Sequence, residues 1–348
     1  MKHRIISGKI IAGVILLILA FLIPIFLDNP YYLHIIILAM VASVATLGVY
    51  LILQTGHLSL AQAVFMAIGA YSSTLLVVRV GLSFWLTLPL SGLIAAILGT
   101  LIGYPALKLK GAYFAILTFG LSEVTRLVLI NSGSVTGGTG GIPGGISGIR
   151  AIPAPNPIAI PGLPVVEFIS KGAYYYLSLL LLIITLVVIY IIDRSRKGDI
   201  LKAIKQSESL AESVGIDVAK YKTLAFATAC FFTGLDGAFF AHYIKCITPD
   251  DFGFWISIDY LIYAIIGGTG NVFGPVLGAI GLVILTNLST ILAQYHVIFY
   301  GAIIIFIVIL LPEGLISLHP QKFRWICRRF KVIKVLTVSG LKNGVFRK

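Results

Sequence analysis

Charge is what this chain has least of. Only 11% of its 348 residues are charged, and just thirteen of those are acidic. With 58% hydrophobic residues and a mean hydropathy of +1.02, a soluble domain of this length is excluded. Cysteine is nearly absent as well. Cys230, Cys246 and Cys327 fall on separate segments without metal-ligand spacing, so neither a zinc site nor a disulfide framework is indicated. No Gly-Lys-Ser/Thr ending follows the glycine-rich run at 136–145, and nothing else in the chain offers a phosphate loop. Nucleotide hydrolysis by this chain alone is therefore not expected, and no cofactor is expected in it. The formal net charge of +13 does not point to nucleic acid, because the basic residues sit in short segments between apolar runs.

What is present is a series of apolar runs of about twenty residues or slightly fewer, without the period-two alternation of a membrane barrel. The expected fold is an all-α polytopic membrane protein of about ten spans, within a range of roughly eight to eleven. Spans are expected near 10–27, 31–53, 63–78, 84–103, 112–130, 174–192, 223–244, 254–266, 276–292 and 297–311, the later ones broken or re-entrant around glycines. The basic N-terminus before the first run resembles a secretory signal, but no small-residue cleavage site follows, so a retained span is expected. Lys and Arg concentrate before the first span, at Lys108 and Lys110, across 193–222 and in the tail. Only Arg79, Arg150, Lys171 and Lys245 fall on the other side, which places both termini in the cytoplasm. The organisation expected is a transmembrane domain over 1–312, with an external Gly/Pro-rich segment at 131–172 and a cytoplasmic loop at 193–222. A basic cytoplasmic tail at 313–348 follows.

The loop at 193–222 is the one long polar interruption. Ile200, Ile204, Ser207, Ala211 and Val214 recur at steps of four and three, the period of one helical stripe, and Gly215 follows where a left-handed stop is easiest. Such a helix either lies in the interface or docks on a partner. Small Ser207 and Ala211 and the lack of an aromatic anchor favour packing on protein.

Other polar groups stand inside apolar runs. Glu123 and Arg126 share a helical face and are expected to form an ion pair pointing into the bundle. Asp236 and Asp259 each suit either a proton or ion site or a hydrogen bond to a neighbouring helix. His57, Ser59 and Gln62 begin a span rich in small residues, of the kind that lets helix backbones approach closely. They are candidate lining residues of a path, as are the glycine breaks with Thr136, Gly137 and Gly138 and with Gly268 and Gly270. A flexible loop and a tight interhelical turn are the respective structural alternatives.

From about residue 50 to 315 the motifs occur together in order. They are Gly56-His57-Leu58-Ser59-Leu60, Gly69-Ala70-Tyr71, Pro105-Ala106-Leu107-Lys108-Leu109-Lys110-Gly111 and Glu123-Val124-Thr125-Arg126. After these come Thr136-Gly137-Gly138 with Pro143-Gly144, Tyr221-Lys222-Thr223-Leu224-Ala225-Phe226, and Gly267-Gly268-Thr269-Gly270 with Gly274-Pro275-Val276-Leu277-Gly278. In this the chain resembles the permease subunits of ATP-binding-cassette importers for branched-chain amino acids, in particular the LivM-like member of the pair. It departs from them where His57 and Gln62 exchange the family's glutamine and histidine. Only Ala211 and Gly215 survive of the Glu-Ala-Ala…Gly coupling pattern, and Glu313 replaces an arginine.

The resemblance implies a translocation subunit, not an enzyme, in the inner membrane of a prokaryote. A separate ATPase subunit would bind ATP and magnesium and grip the loop at Ile200 to Gly215. A second permease subunit would complete the path, and an extracytoplasmic binding protein would deliver leucine, isoleucine or valine. Closely similar permeases serve urea or short amides. An ion-coupled secondary carrier using Asp236, Asp259 or Glu123, and a membrane subunit without a pump, are the readings from other classes.

Overall fold

The structure is a computed structural model that describes residues 19–24, 26, 29–109, 111–133, 148–157, 168, 170–289, 301–302 and 304–305. The expected first and last spans, the tail and Thr136, Gly137 and Gly138 lie wholly or mostly outside the described residues.

Six described helices are long and apolar enough to cross a membrane. They are α1 (Pro30–Leu53), α2 (Gln62–Val80), α3 (Phe84–Ala106), α4 (Ala112–Asn131), α5 (Lys171–Arg194) and α8 (Val218–Ile244). Two short helices, α6 (Arg196–Gln206) and α7 (Glu208–Ser213), join α5 to α8. Beyond α8 come a 3-10 turn (Pro249–Phe252), α9 (Phe254–Gly267) and α10 (Phe273–Ser289). The all-α polytopic architecture is thus present, with one two-residue ladder added to it.

Burial sets the order of the bundle. The apolar window of α1 is 89% buried and that of α8 72%, whereas α4 has only 17%. A helix apolar on every side is stable only where neighbours or lipid surround it. So α1 and α8 form the axis, α2 and α3 pack on α8, and α4 stands at the edge. The α2–α8 seam depends on small residues. A Cβ on Gly69 would collide with the Gly234 carbonyl, and one on Gly237 with the carbonyl of Met66. Close backbone approach of this kind is what a small-residue span provides in lipid.

The short span expected at 254–266 is present as α9, and the helix expected from residue 276 begins three residues earlier, as α10. At 1.5 Å per residue the 14 residues of α9 reach only about 21 Å, less than the roughly 30 Å of a hydrocarbon core. α9 and α10 lie back to back, with Gly278 against the carbonyl of Tyr263 and Gly267 against Gly274. The chain before α2 is also non-helical, and neighbours satisfy its backbone. Leu60 N donates to Thr118 Oγ1 on α4 (3.1 Å) and Ala63 N to Ser257 Oγ on α9 (2.9 Å). Without these partners the amide of Ala63, in the first turn of α2, and that of Leu60 just before it would be donors with no acceptor.

The two ends of the bundle differ. One carries Arg194, Lys202, Lys205 and Lys222 and is called here the basic end. At the other, β1 (Ile149–Arg150) pairs antiparallel with β2 (Cys246–Ile247), Ile149 opposite Ile247. His242 Nδ1 lies 2.8 Å from the Pro153 carbonyl, and since a carbonyl only accepts, Nδ1 is the protonated nitrogen. Its Nε2 then accepts from Ser73 Oγ at 3.1 Å. Asn156 Oδ1 accepts from Phe84 N at the start of α3 (3.1 Å). The described part of the Gly/Pro-rich segment is therefore pinned to α3 and α8.

Candidate functional site

The polar loop at the basic end does not form the one helix that its periodicity suggests. Ser207 adopts an extended conformation (φ −161°, ψ 115°) that ends α6, and its side chain accepts from Leu210 N at 3.4 Å to begin α7. Serine at this position competes with the helical backbone for its own amides, which is why the stripe breaks there. Its members then part company. Ile204 and Ala211 are buried and meet Val218 from α8, with Ile200 and Tyr221 around them. Ser207 is half-buried, while Val214 (76% exposed) and its unforeseen neighbour Leu210 (70% exposed) point away from the chain. The buried side of the stripe thus seats the loop on its own bundle, and the outward surface consists of Leu210 and Val214.

The stop at Gly215 is as the sequence indicates. Gly215 has φ +82°, its amide donates to Glu212 O (2.9 Å), and Ile216 N donates to Ala211 O (3.1 Å). This paired arrangement satisfies the last carbonyls of α7. Two residues on, Asp217 Oδ1 accepts from Lys220 N (3.0 Å) and caps α8.

Two ion pairs that sequence reasoning missed fix the loop. Lys202 Nζ reaches Asp193 Oδ1 at 3.0 Å, and the same carboxylate accepts from Tyr50 OH at 3.2 Å. Lys222 Nζ, on a side chain only 3% exposed, reaches Glu208 Oε1 at 2.7 Å. The one available signal was opposite charge on either side of the Gly215 stop, at Glu208 and Lys222.

His57 lies beside this second pair. Its Nε2 is 3.2 Å from the Leu109 carbonyl in the α3–α4 turn, and its ring meets Phe114 edge-on at 4.9 Å. Burial and then the Lys222 ammonium hold the imidazole below its ordinary range. The carbonyls of Thr55 and Leu109 and the Glu208 carboxylate pull less strongly the other way.

The path candidates are not gathered in one place. Ser59 is buried, its Oγ accepting from Ala61 N (3.4 Å). Gln62 is fully buried, its Nε2 bonded to Thr233 Oγ1 of α8, and its Oε1 has no partner among the described residues. Gly268, with φ +98°, caps α9, and Gly270 projects into open space. The turn between them is tied to the end of α1, where Gln54 Nε2 donates to Thr269 O (3.1 Å). A cavity of about 430 Å³ opens between α3 and α8, lined by Thr100, Tyr104, Asp217, Lys220, Thr223 and Leu224 and by none of the path candidates.

The Glu123–Arg126 pair is present, at 2.6 Å, but not in the bundle interior where it was expected. It lies on the weakly buried α4, and Arg126 Nη1 also reaches Asp250 Oδ1 in the 3-10 turn at 2.9 Å. Arg126 donates to two acids because α4 ends beside that turn. Asp236 is buried within α8, and its Oδ2 has no partner among the described residues.

Comparison with known proteins bears on most of the chain. The family model described as branched-chain amino acid transport system / permease component matches residues 31–308. The high-affinity branched-chain amino acid transport system permease protein LivM of Escherichia coli (strain K12) is 32% identical over 330 residues, covering 88% of this chain and 75% of the relative. The protein of the same name from Salmonella typhimurium (strain LT2) is 31% identical over 288 residues, covering 77% of this chain and 65% of the relative. No solved structure matches.

Proposed function

Because the chain belongs to the branched-chain amino acid transport permease family, we propose that it is the membrane-spanning subunit of an ATP-binding-cassette importer for leucine, isoleucine and valine. In this reading it works in the inner membrane of a prokaryote with its basic end and both termini in the cytoplasm. A binding protein presents the amino acid at the opposite end, where the 148–157 segment and the 3-10 turn sit. A second permease subunit completes the path, and a separate ATPase subunit binds ATP and magnesium. The chain itself performs no covalent chemistry; it supplies a route and a lever.

One observation carries the reading: α7 is stopped at both ends, seated on the bundle by Ala211 and left with Leu210 and Val214 outward at the basic end. Two large apolar side chains set outward on a short helix capped at both ends suit a partner's groove. Their fixed backbone lowers the ordering cost of docking. The ATPase contact is accordingly assigned to Leu210 and Val214, with Ile204 and Ala211 as the inner support and Gly215 as the stop.

The test is site-specific photo-crosslinking. A benzophenone side chain at Leu210 or Val214 should capture the ATPase subunit in membranes, and one at Leu180, exposed on α5, should not. Uptake of leucine against urea in vesicles reconstituted with that ATPase and the binding protein decides the substrate. Capture equal at all three positions, or uptake that collapses with the ion gradient while ATP remains, rules the reading out.

A further inference from the structure

We propose that Glu208 and Lys222 are positioning residues for transport, their ion pair being the strut that carries movement of α7 into α8. The inference rests on the reading that an ATPase grips α7.

The loop is held by two struts on two different spans. On the near side of Ser207, Lys202 of α6 is bound to Asp193 at the end of α5, which Tyr50 of α1 also holds. On the far side, Glu208 of α7 is bound to Lys222, one turn into α8. Between them the chain is extended at Ser207, without the continuous helical hydrogen bonding that would make α6 and α7 one rod. A push on α7 therefore has a charged link straight to α8, whereas it reaches α5 only through α6, on which Ala211 packs at Ile204.

The character of the second strut supports this direction. Lys222 is almost fully buried, so its ammonium has little access to water and depends on Glu208, which is itself only about a quarter exposed. The apolar contact beside it, Ile204 and Ala211 on Val218 with Ile200, Ile216 and Tyr221 around them, is non-directional and permits sliding. An ion pair removed from water has a defined length and resists it. From α8 the movement has a stiff onward route, because Gly69 and Gly237 place the backbones of α2 and α8 in direct contact.

The experiment uses the full complex in proteoliposomes and reads amino acid taken up per ATP hydrolysed, with subunit co-purification measured on the same samples. Glu208→Lys and Lys222→Glu are each expected to lower that ratio about tenfold or more, and the reversed pair together to recover most of it. Where a single reversal fails to assemble, the near-isosteric double variant Glu208→Gln/Lys222→Met decides, since it keeps the packing and removes only the charges. An assembled double variant with a lowered ratio sustains the strut. Wild-type coupling in that variant, or no recovery in the reversed pair, overturns it. Failure of wild-type α7 to crosslink to the ATPase refutes the docking reading, and the strut with it, whereas crosslinking with unchanged coupling in the variants refutes the strut alone.

Discussion

Gly69 of α2 lies with its backbone against that of Gly234 in α8, so close that a Cβ on Gly69 would collide with the Gly234 carbonyl oxygen. The obstacle is backbone, not the end of a flexible side chain, so one of the two helices has to move. Gly69→Ala is expected to destabilise the isolated chain in detergent by about 1–3 kcal/mol, the usual cost of overpacking a well-filled core. Gly120→Ala, at an open position on α4, should be neutral or slightly stabilising, because alanine is the better helix former. Equal melting temperatures for the two variants would mean that the seam is not tight.

Gly215 tests the loop without disturbing any packing. No atom lies near where its Cβ would stand, so the only obstacle to a side chain is φ +82°. Gly215→Ala should cost about 1 kcal/mol and fray α7, and Gly215→Asn should cost less, since asparagine tolerates the left-handed region. Hydrogen exchange of the amides of 211–216 reads this directly. Identical protection in glycine, alanine and asparagine forms would remove the stop from the account of the site.

These two glycines also show what the sequence made legible. A span crowded with small residues announced a close helix contact, and Gly215 after a periodic run announced a helix end, because both signals are local. The long apolar runs announced α1 to α5 and α8 for the same reason. The shortness of α9 was legible too, since its apolar run ends at the glycine break after Ile266; its packing on α10 was not, because an apolar run does not reveal which helix it will meet. The stripe through Ile200, Ile204, Ser207, Ala211 and Val214 gave its buried members but not its break, because Ser207 is neutral to helical periodicity and decisive only as a cap. The Lys222–Glu208 and Arg126–Asp250 bonds depend on how separate elements meet, which no spacing encodes. His57 and Gln62, five positions apart, looked like one lining and are held by different neighbours, the α3–α4 turn and Thr233.

The lowered pKa of His57 gives a pH dependence of definite sign. Folded, the imidazole binds its proton less readily than the ordinary value of 6.5 that it regains on unfolding. Its contribution to stability is therefore complete above pH 6.5, falls as the pH drops below 6.5, and levels off below the folded value. The slope attributable to it is at most ~1.4 kcal/mol per pH unit. Thermal unfolding of wild type and His57→Asn between pH 7.5 and 5 should give curves that converge on acidification. Parallel curves would show that His57 does not titrate across this range.

Arg126 joins α4 to the 3-10 turn through two acids, Glu123 at 2.6 Å and Asp250 at 2.9 Å. Either acid alone still gives the guanidinium a charged partner, so Glu123→Gln and Asp250→Asn should each leave folding and expression close to wild type. Asp250→Asn should differ in one respect, raising hydrogen exchange at 249–252, because only Asp250 belongs to the turn. Arg126→Met leaves two carboxylates facing each other without a cation and should lower the melting temperature most. Adding Glu123→Gln and Asp250→Asn to Arg126→Met should then restore much of that loss, since the neutral triple removes the repulsion that the single change creates. The pair lies partly exposed, so the comparison is made at low and at 0.5 M salt. Rescue by added salt in the single variant, and no effect of salt in the triple, identifies repulsion as the cause. A triple variant no better than Arg126→Met would show instead that the arginine's packing, and not its charge, holds α4 to the turn.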